Sequence, residues 1–585
     1  MKFFRVSKLL LEKKLLIYLY FLLPILTISI FLEILGLSMV PLLITAISNP
    51  DHVLEILKNI NFYPFLELVI FLESSSKIKF IVIFTTLFGF IFIIKNILSI
   101  IIVYYENWLS MKIKISMTTR LAKFYFFAPY IFHLQYTSSQ LIRNLNHETK
   151  VVGEYFKSFI ISVREIFIIT FIILTLVTLY PTISITSSAF LLFSITIFHK
   201  FAKYQIMKIS KNLFILREKF ITLIQEGFGS IKSTLILQRE NAIYKNLGNL
   251  VRVKEKLEFK NNFIMKLPKS YLEIVFILTF CFIIILTINL YEDPNQIFSI
   301  LAILGVAMTR LIPSFNNLSA NLLVLKSQAV SVDYMVNEFE KKNDTKNYAK
   351  KNNLNKIKNN LYGDIIFNNV SFKYQNSKKY IFKNLNLRIN KGEIVAITGD
   401  SGVGKTTLVD LLLGLLEPNE GKIFSNNINV NKEIFSWRKI LGYVPQEVVL
   451  INNTIKKNIT VGLKESLVNK KQLKNIIKKT NIGEFITTED GKFTNIGERG
   501  ARLSGGQKQR IGIARALYKD PKVIIFDEAT SALDKNNEDQ ILKDIKILSK
   551  KRIIIFITHK IENLVFADKI FCIDRFGKIK QKKNN

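Results

Sequence analysis

The stretch GEIVAITGDSGVGKTTLVDLLLGLL, residues 392 to 416, decides the fold. A short apolar run ends at Ile397, a glycine-rich turn follows, and a helical apolar pattern begins at once. Strand, glycine loop and helix in that order form the setting in which such a loop cradles phosphate. Gly399, Gly402 and Gly404 let backbone N–H groups converge at a helix N-terminus, where the helix dipole also favours an anion. Lys405 brings a point charge, Thr406 a hydroxyl suited to Mg2+, and Asp400, Ser401, Val403 and Thr407 complete the loop.

Further along, KVIIFDEATSALD (522 to 534) supplies the other half of a nucleotide site. Val523 to Phe526 read as a buried parallel strand, which puts Asp527 at its C-terminal tip, where open α/β sheets bind ligands. Asp527 is then placed to hold the metal and Glu528 to take a proton from an attacking water. His559, in IIIFITHK, ends another apolar strand and faces the same site. A second glycine-rich loop, LSGGQ (Leu503, Ser504, Gly505, Gly506, Gln507), lies between these segments. The chain therefore has two glycine-rich loops and one set of residues to surround a nucleotide.

At 585 residues the chain exceeds a single core. Long apolar runs fill roughly the first 330 residues, and short strands alternating with charged segments fill the rest. Six membrane helices are expected, at about 15–47, 80–106, 153–180, 182–205, 270–291 and 296–325. The uncharged block from Ile166 to Phe198 overshoots one crossing, so it reads as two helices turning at Pro181. The first span is too long for a signal peptide, and no small-residue cleavage site follows it. Lysine and arginine crowd the N-terminus and the segments 112–150 and 200–269, which places those segments, both termini and the soluble domain in the cytoplasm. The helical pattern there outruns any loop, so helix tips near 128–145 and 226–240 are expected to project toward the soluble domain. The expected fold class is an all-α transmembrane domain (1–340), a linker (341–360) and an α/β P-loop nucleotide-binding domain (361–585).

The net charge of +36 does not point to nucleic acid, because it follows the membrane flanks and a general Lys/Asn bias. Cys281 and Cys572 offer neither a disulfide framework nor metal-ligand spacing, and are expected to be packed or inert.

LSGGQ upstream of FDEATSALD, with GDSGVGKTT, VPQ ending at Gln446 and THK at His559, resembles the nucleotide-binding domain of ATP-binding cassette (ABC) transporters. With the six spans included, the resemblance extends over the whole chain. It implies ATP and Mg2+ as ligands, with Tyr374 stacking on adenine, Gln446 contacting the metal and water, and His559 orienting the γ-phosphate. It also implies that the loop with Ser504 and Gly506 caps a phosphate held by a partner cassette, with Asp534 at the interface. One cassette per chain then calls for a homodimer. TNIGERGARLSGGQ and the fusion of spans to cassette resemble exporters of the bacterial inner membrane. No stretch before the first span suffices for a peptidase domain, which disfavours a peptide-processing exporter. Val403 in the loop and Lys560 after the histidine depart from the usual pattern without removing a catalytic atom.

For the substrate, charges at membrane depth are costly and tend to line a path. Arg310, Lys95 and Lys269 are the candidates for an anionic headgroup, against the alternatives of snorkelling or pairing with Glu33 or Glu273. LPKSYLEIVFILTF, TRLIPSFNNL and YIFKNLNLRINKGE look like the lipid-linked oligosaccharide flippases. A lipid, peptide or drug exporter is the runner-up, and an ATP-gated channel or regulator is the alternative of another class.

Overall fold

The computed structural model describes residues 2–48, 77–290, 294–350, 361–375, 377–485, 496–497, 500–529, 552–558 and 564–582. They form two compact units, the first made of residues 1–128 and 136–346, the second of residues 129–135 and 347–585.

Six long helices dominate the first unit: α1 (Lys13–Ser48), α2 (Lys77–Phe127), α3 (Thr149–Leu179), α4 (Pro181–Gly229), α5 (Glu240–Leu290) and α6 (Pro294–Lys350). Among the described residues, five segments are long and apolar enough to cross a membrane: Lys13–Glu33, Ile81–Phe127, Ser138–Thr178, Pro181–Gly229 and Glu240–Asn289. α6 covers the sixth expected span, and it continues to Lys350, through the first half of the stretch expected to be a linker. The turn between α3 and α4 falls at Pro181, the first residue of α4, where its fixed φ and missing N–H cost nothing. α2 has 51 residues, about 75 Å at 1.5 Å per residue, which is more than twice a hydrocarbon core of roughly 30 Å. Its outward residues Ile93, Ile97, Ile100 and Tyr104 are exposed, the surface expected of a helix whose solvent is lipid. Inward-facing Ile169, Ile172, Ile183, Leu272, Phe276, Leu311 and Phe315 form a shared core of α3 to α6. Cys281 is exposed on α5, so of the two expectations for it, packed or inert, the first is corrected: it falls on the outward side of an apolar helix.

Beyond the apolar stretches, this unit is locked by a buried polar network. Arg143, 1% exposed, pairs with Glu218 and lies 4.0 Å over the Phe214 ring. Asn144 donates 2.8 Å to Tyr125 Oη, and the chain then makes a π-helical turn, Asn144–Glu148, before α3. Buried polar groups stay only where they are partnered, so this network fixes how the tip at 138–148 sits on α2 and α4.

The second unit contains two sheets. In the first, β1 (Ile365–Phe372), β2 (Phe382–Ile389), β4 (Glu420–Ser425) and β5 (Ile428–Asn429) are antiparallel, in the order β2-β1-β4-β5. The second has the order β10-β9-β3-β8-β7-β6, with β3 (Ile394–Gly399), β6 (Leu441–Val444), β7 (Val523–Asp527), β8 (Ile553–Ile557), β9 (Lys569–Ile573) and β10 (Ile579–Lys582). β6, β7, β8, β3 and β9 are parallel, while β10 adds an antiparallel edge. The near-continuous isoleucine and valine of β3, β7 and β8 follow from burial on both faces, since helices cover parallel sheets on both sides. Trp437, fully buried, belongs to the apolar core that residues of both sheets share and donates 2.8 Å to the Leu412 carbonyl. The short helix Tyr130–Gln135 belongs to this unit: Tyr130 packs on the cassette core, and Gln135 donates 2.6 Å to Gln375. This is one of the helix tips the sequence singles out.

Candidate functional site

The order β3-β8-β7 sets the site's geometry. The loop after β3 and the acids at the end of β7 flank the end of β8, all at the carboxyl edge of the parallel sheet. Gly404, at φ +105, is the N-cap of α7 (Lys405–Leu412), and a Cβ there would lie 2.6 Å from Ile381 Cγ2. Only glycine lets the loop close this tightly onto the helix start. Lys405 Nζ donates 2.7 Å to the Gly399 carbonyl and 3.2 Å to that of Asp400, so its ammonium already faces oxygens at the place a phosphate would offer them. Burial lowers its pKa despite the acids nearby. Thr406 is exposed at the helix start, and Thr407, buried, lies 3.3 Å from Tyr374 Oη. Asp400, Ser401, Gly402 and Val403 line a cavity of about 520 Å³ together with Arg575, whose Nε donates 3.2 Å to Asp400.

Across the sheet, Asp527 accepts a hydrogen bond of 3.1 Å from Tyr443 Oη. Its pKa is raised by burial and by Glu528 beside it. Asp410, on α7, is pushed up to about 6 by burial and by Asp527. Such a crowd of half-buried carboxylates, with a threonine hydroxyl and a lysine opposite, is a donor set that suits a hard divalent cation with phosphate. Thr406, Asp527 and Gln446 therefore fit Mg2+. Glu528 takes φ +48, a conformation rare for a residue with a side chain, and its N–H donates 2.9 Å to the Ile557 carbonyl. Gln446 Nε2 donates 2.7 Å to Glu528 Oε2. His559 and Asp534 lie outside the described residues. The neighbouring Thr558 N–H donates 3.2 Å to the Ile397 carbonyl, which ties the end of β8 to β3.

The second glycine loop has a different construction. Ser504 caps α8 (Gly505–Tyr518) in a reciprocal box: its hydroxyl accepts from the Gln507 N–H, and Gln507 Oε1 accepts from the Ser504 N–H. Leu503 packs on the cluster around Ile455 and Ile511, while Ser504 and Gly505 are exposed. Gln507 is thereby committed to shaping the loop, its N–H is taken by the Ser504 cap, and the start of a 14-residue helix is the kind of place where an anion is favoured.

In the membrane unit, Lys95 Nζ lies 3.0 Å from Glu33 Oε1, and Arg310 Nε contacts the same oxygen. The geometry is that of a charge contact, and Glu33 is 5% exposed, Lys95 12% and Arg310 34%. Two of the three candidate cations thus share one carboxylate. Lys269 is exposed and, among the described residues, makes no ion pair. Sequence reading passed over Tyr443, Asp410 and Arg575. Tyr443 could have been found three residues before Gln446 at a strand end, whereas Arg575 is distant in sequence and left no signal.

Residues 382–531 match the ABC transporter family model. A provisionally named export ATP-binding/permease protein of Rickettsia prowazekii is 43% identical over 229 residues, 39% of this chain and 39% of that protein. The leukotoxin translocation ATP-binding protein of a Pasteurella haemolytica-like species is 38% identical over 227 residues, 38% of this chain and 32% of that one. The chain spans about two fifths or less of the length of these relatives. The structure of a bacterial Atm1-family ABC exporter with ATP bound aligns over 96% of this chain and 95% of that one, at a TM-score of 0.75 and 20% identity. Over the aligned 96% of its length the chain thus has the fold of that exporter structure, and residues 382–531 carry the match to the ABC transporter family model.

Proposed function

We propose that this chain, a half-molecule exporter by fold and by cassette, pairs with a second copy to form an ATP-driven transporter. It moves an amphipathic substrate away from the cytoplasmic side of a membrane. The observation that carries this reading is the division of the nucleotide machinery: one P-loop, one pair of strand-tip acids, and a separate capped helix start with exposed Ser504 and Gly505. Two copies supply two complete sites, each with a P-loop from one chain and a helix start from the other.

In each site Lys405 and the loop N–H groups bind the phosphates, and the Tyr374 ring is the platform for adenine. Thr406, Gln446 and Asp527 hold Mg2+, which when bound neutralises phosphate charge. Glu528 accepts the proton of the attacking water, and Gln446 keeps its carboxylate in place at 2.7 Å. His559 is the candidate for orienting the γ-phosphate, and Asp534 for meeting the partner cassette. Closure of the cassettes reaches the membrane helices through tips such as Tyr130–Gln135, which is already seated on the cassette. The basic residues of the helix extensions support a cytoplasmic location for the site.

The finer reading is a lipid-linked oligosaccharide as substrate. Supporting it, two cations share the single carboxylate of Glu33, which leaves a surplus positive charge for an anionic headgroup to match. The test is ATP hydrolysis by the purified protein in lipid nanodiscs, with and without a polyprenyl-pyrophosphate-linked glycan, using Glu528→Gln as the silent control. A glycolipid-dependent rate supports the finer reading. Basal hydrolysis indifferent to the glycolipid leaves an exporter of another lipid, a peptide or a drug. Hydrolysis equal in Glu528→Gln would overturn the assigned base.

A further inference from the structure

We propose that Tyr443 is a positioning residue for metal binding, acting through Asp527. This rests on the nucleotide-site reading and adds a residue to it. β6 and β7 run parallel with Tyr443 paired to Ile525 and Val444 to Phe526. Side chains alternate along a strand, so Ile525 and Asp527 share one face of the sheet, the face on which Tyr443 also lies. The phenol extends from its pairing position toward the strand tip and donates 3.1 Å to Asp527 Oδ2. One carboxylate oxygen is thereby fixed and the other left for the metal. The ring itself packs on the cassette core, so the donor is held in place by packing.

Three residues later, Gln446 donates 2.7 Å to Glu528. The segment Tyr443–Gln446 therefore holds both adjacent carboxylates, the metal ligand by its first residue and the base by its last. A shift of this segment moves both acids together, so metal affinity and the base's position change as one.

The test uses the full chain in nanodiscs, comparing the wild type with Tyr443→Phe, which keeps the ring and removes the donor. Mn2+ binding in the presence of ADP is read by electron paramagnetic resonance. ADP binding in EDTA and the melting temperature without nucleotide report the site and the fold separately. The expected result is Mn2+ affinity about fivefold to tenfold weaker, with ADP affinity in EDTA within about twofold and the melting temperature unchanged, as for loss of one hydrogen bond of ordinary net strength. Unchanged Mn2+ affinity would overturn the proposal. So would a parallel fall in metal-free ADP binding or in melting temperature, since the tyrosine would then serve packing alone. If the wild type bound no ADP, the nucleotide-site reading itself would fall.

Discussion

Replacing Glu33 by glutamine tests whether the intramembrane cations depend on it. The carboxylate is 5% exposed, lies 3.0 Å from Lys95 Nζ, and is also in contact with Arg310. At 3.0 Å and an effective dielectric of about 20, one such contact has a gross Coulomb energy of about 5 kcal/mol. Desolvation of both ions offsets much of that in the native protein. Removing one partner alone leaves the cations uncompensated, which typically costs about 3–5 kcal/mol. Arg310, at 34% exposed, keeps some solvation, so the lower figure, about 3 kcal/mol, is expected for Glu33→Gln. Lys95→Met takes away the surplus charge and leaves Glu33 with Arg310, so its cost is expected to be near zero. Glu33→Gln/Lys95→Met carries one uncompensated cation instead of two and should recover roughly half of the loss. The assay is thermal unfolding in nanodiscs, followed by the fraction that elutes as intact protein after heating. The charge-sharing argument is wrong if Glu33→Gln unfolds with the wild type, or if the second substitution recovers nothing.

Three further outcomes are expected in the cassette. Gly404→Ala forces φ +105 on a side chain 2.6 Å from Ile381, a strain of about 1–3 kcal/mol, and should weaken metal-free nucleotide binding at least tenfold in a fluorescent-nucleotide titration; an unchanged affinity would refute the role given to that glycine. Ser504→Ala removes a helix cap at about 1 kcal/mol. It should lower hydrolysis at least tenfold while leaving ADP binding intact, and an equal loss of both would mean that the serine serves its own chain's P-loop. Asp410 has a folded pKa raised to about 6 from 3.8, so its charged form is penalised, and stability is lost as pH rises through that interval. Asp410→Asn should therefore raise the melting temperature of EDTA-treated protein at pH 7.5 and leave it unchanged at pH 4. After allowance for solvent screening the gain is about 1 kcal/mol, and an equal effect at both values would refute the cause.

The parts of this fold that can be read from sequence are those in which local pattern and structure coincide. The run Ile394 to Ile397 followed by glycines becomes β3 and the P-loop because burial on two faces demands continuous apolar residues and the tight turn demands glycine. Pro181 marks the α3–α4 turn for an equally local reason. Contacts between distant segments are not written in this way. Nothing near Asp527 announces Tyr443, 84 residues earlier, because the hydrogen bond depends on β6 lying beside β7. Lys95 and Arg310 are conspicuous as charges in apolar helices, and Glu33 is legible as a candidate partner, yet that both cations meet this one carboxylate rather than Glu273 emerges only from helix packing. The end of α6 is not legible in the same way, because its polar continuation has the composition of a linker while its backbone remains helical to Lys350.

The central claim is that each nucleotide site is shared between two copies of the chain. It is tested most directly by mixing two silent variants, Lys405→Ala, which lacks P-loop charge but keeps its helix start, and Ser504→Arg, which keeps its P-loop but blocks the helix start. Each variant alone should be inactive. Co-expressed in equal amounts, half of the dimers hold one intact P-loop facing one intact helix start, so about a quarter of the wild-type ATP hydrolysis is expected to return. No recovery in the mixed dimers, or full activity of the Ser504→Arg variant on its own, would contradict the shared site.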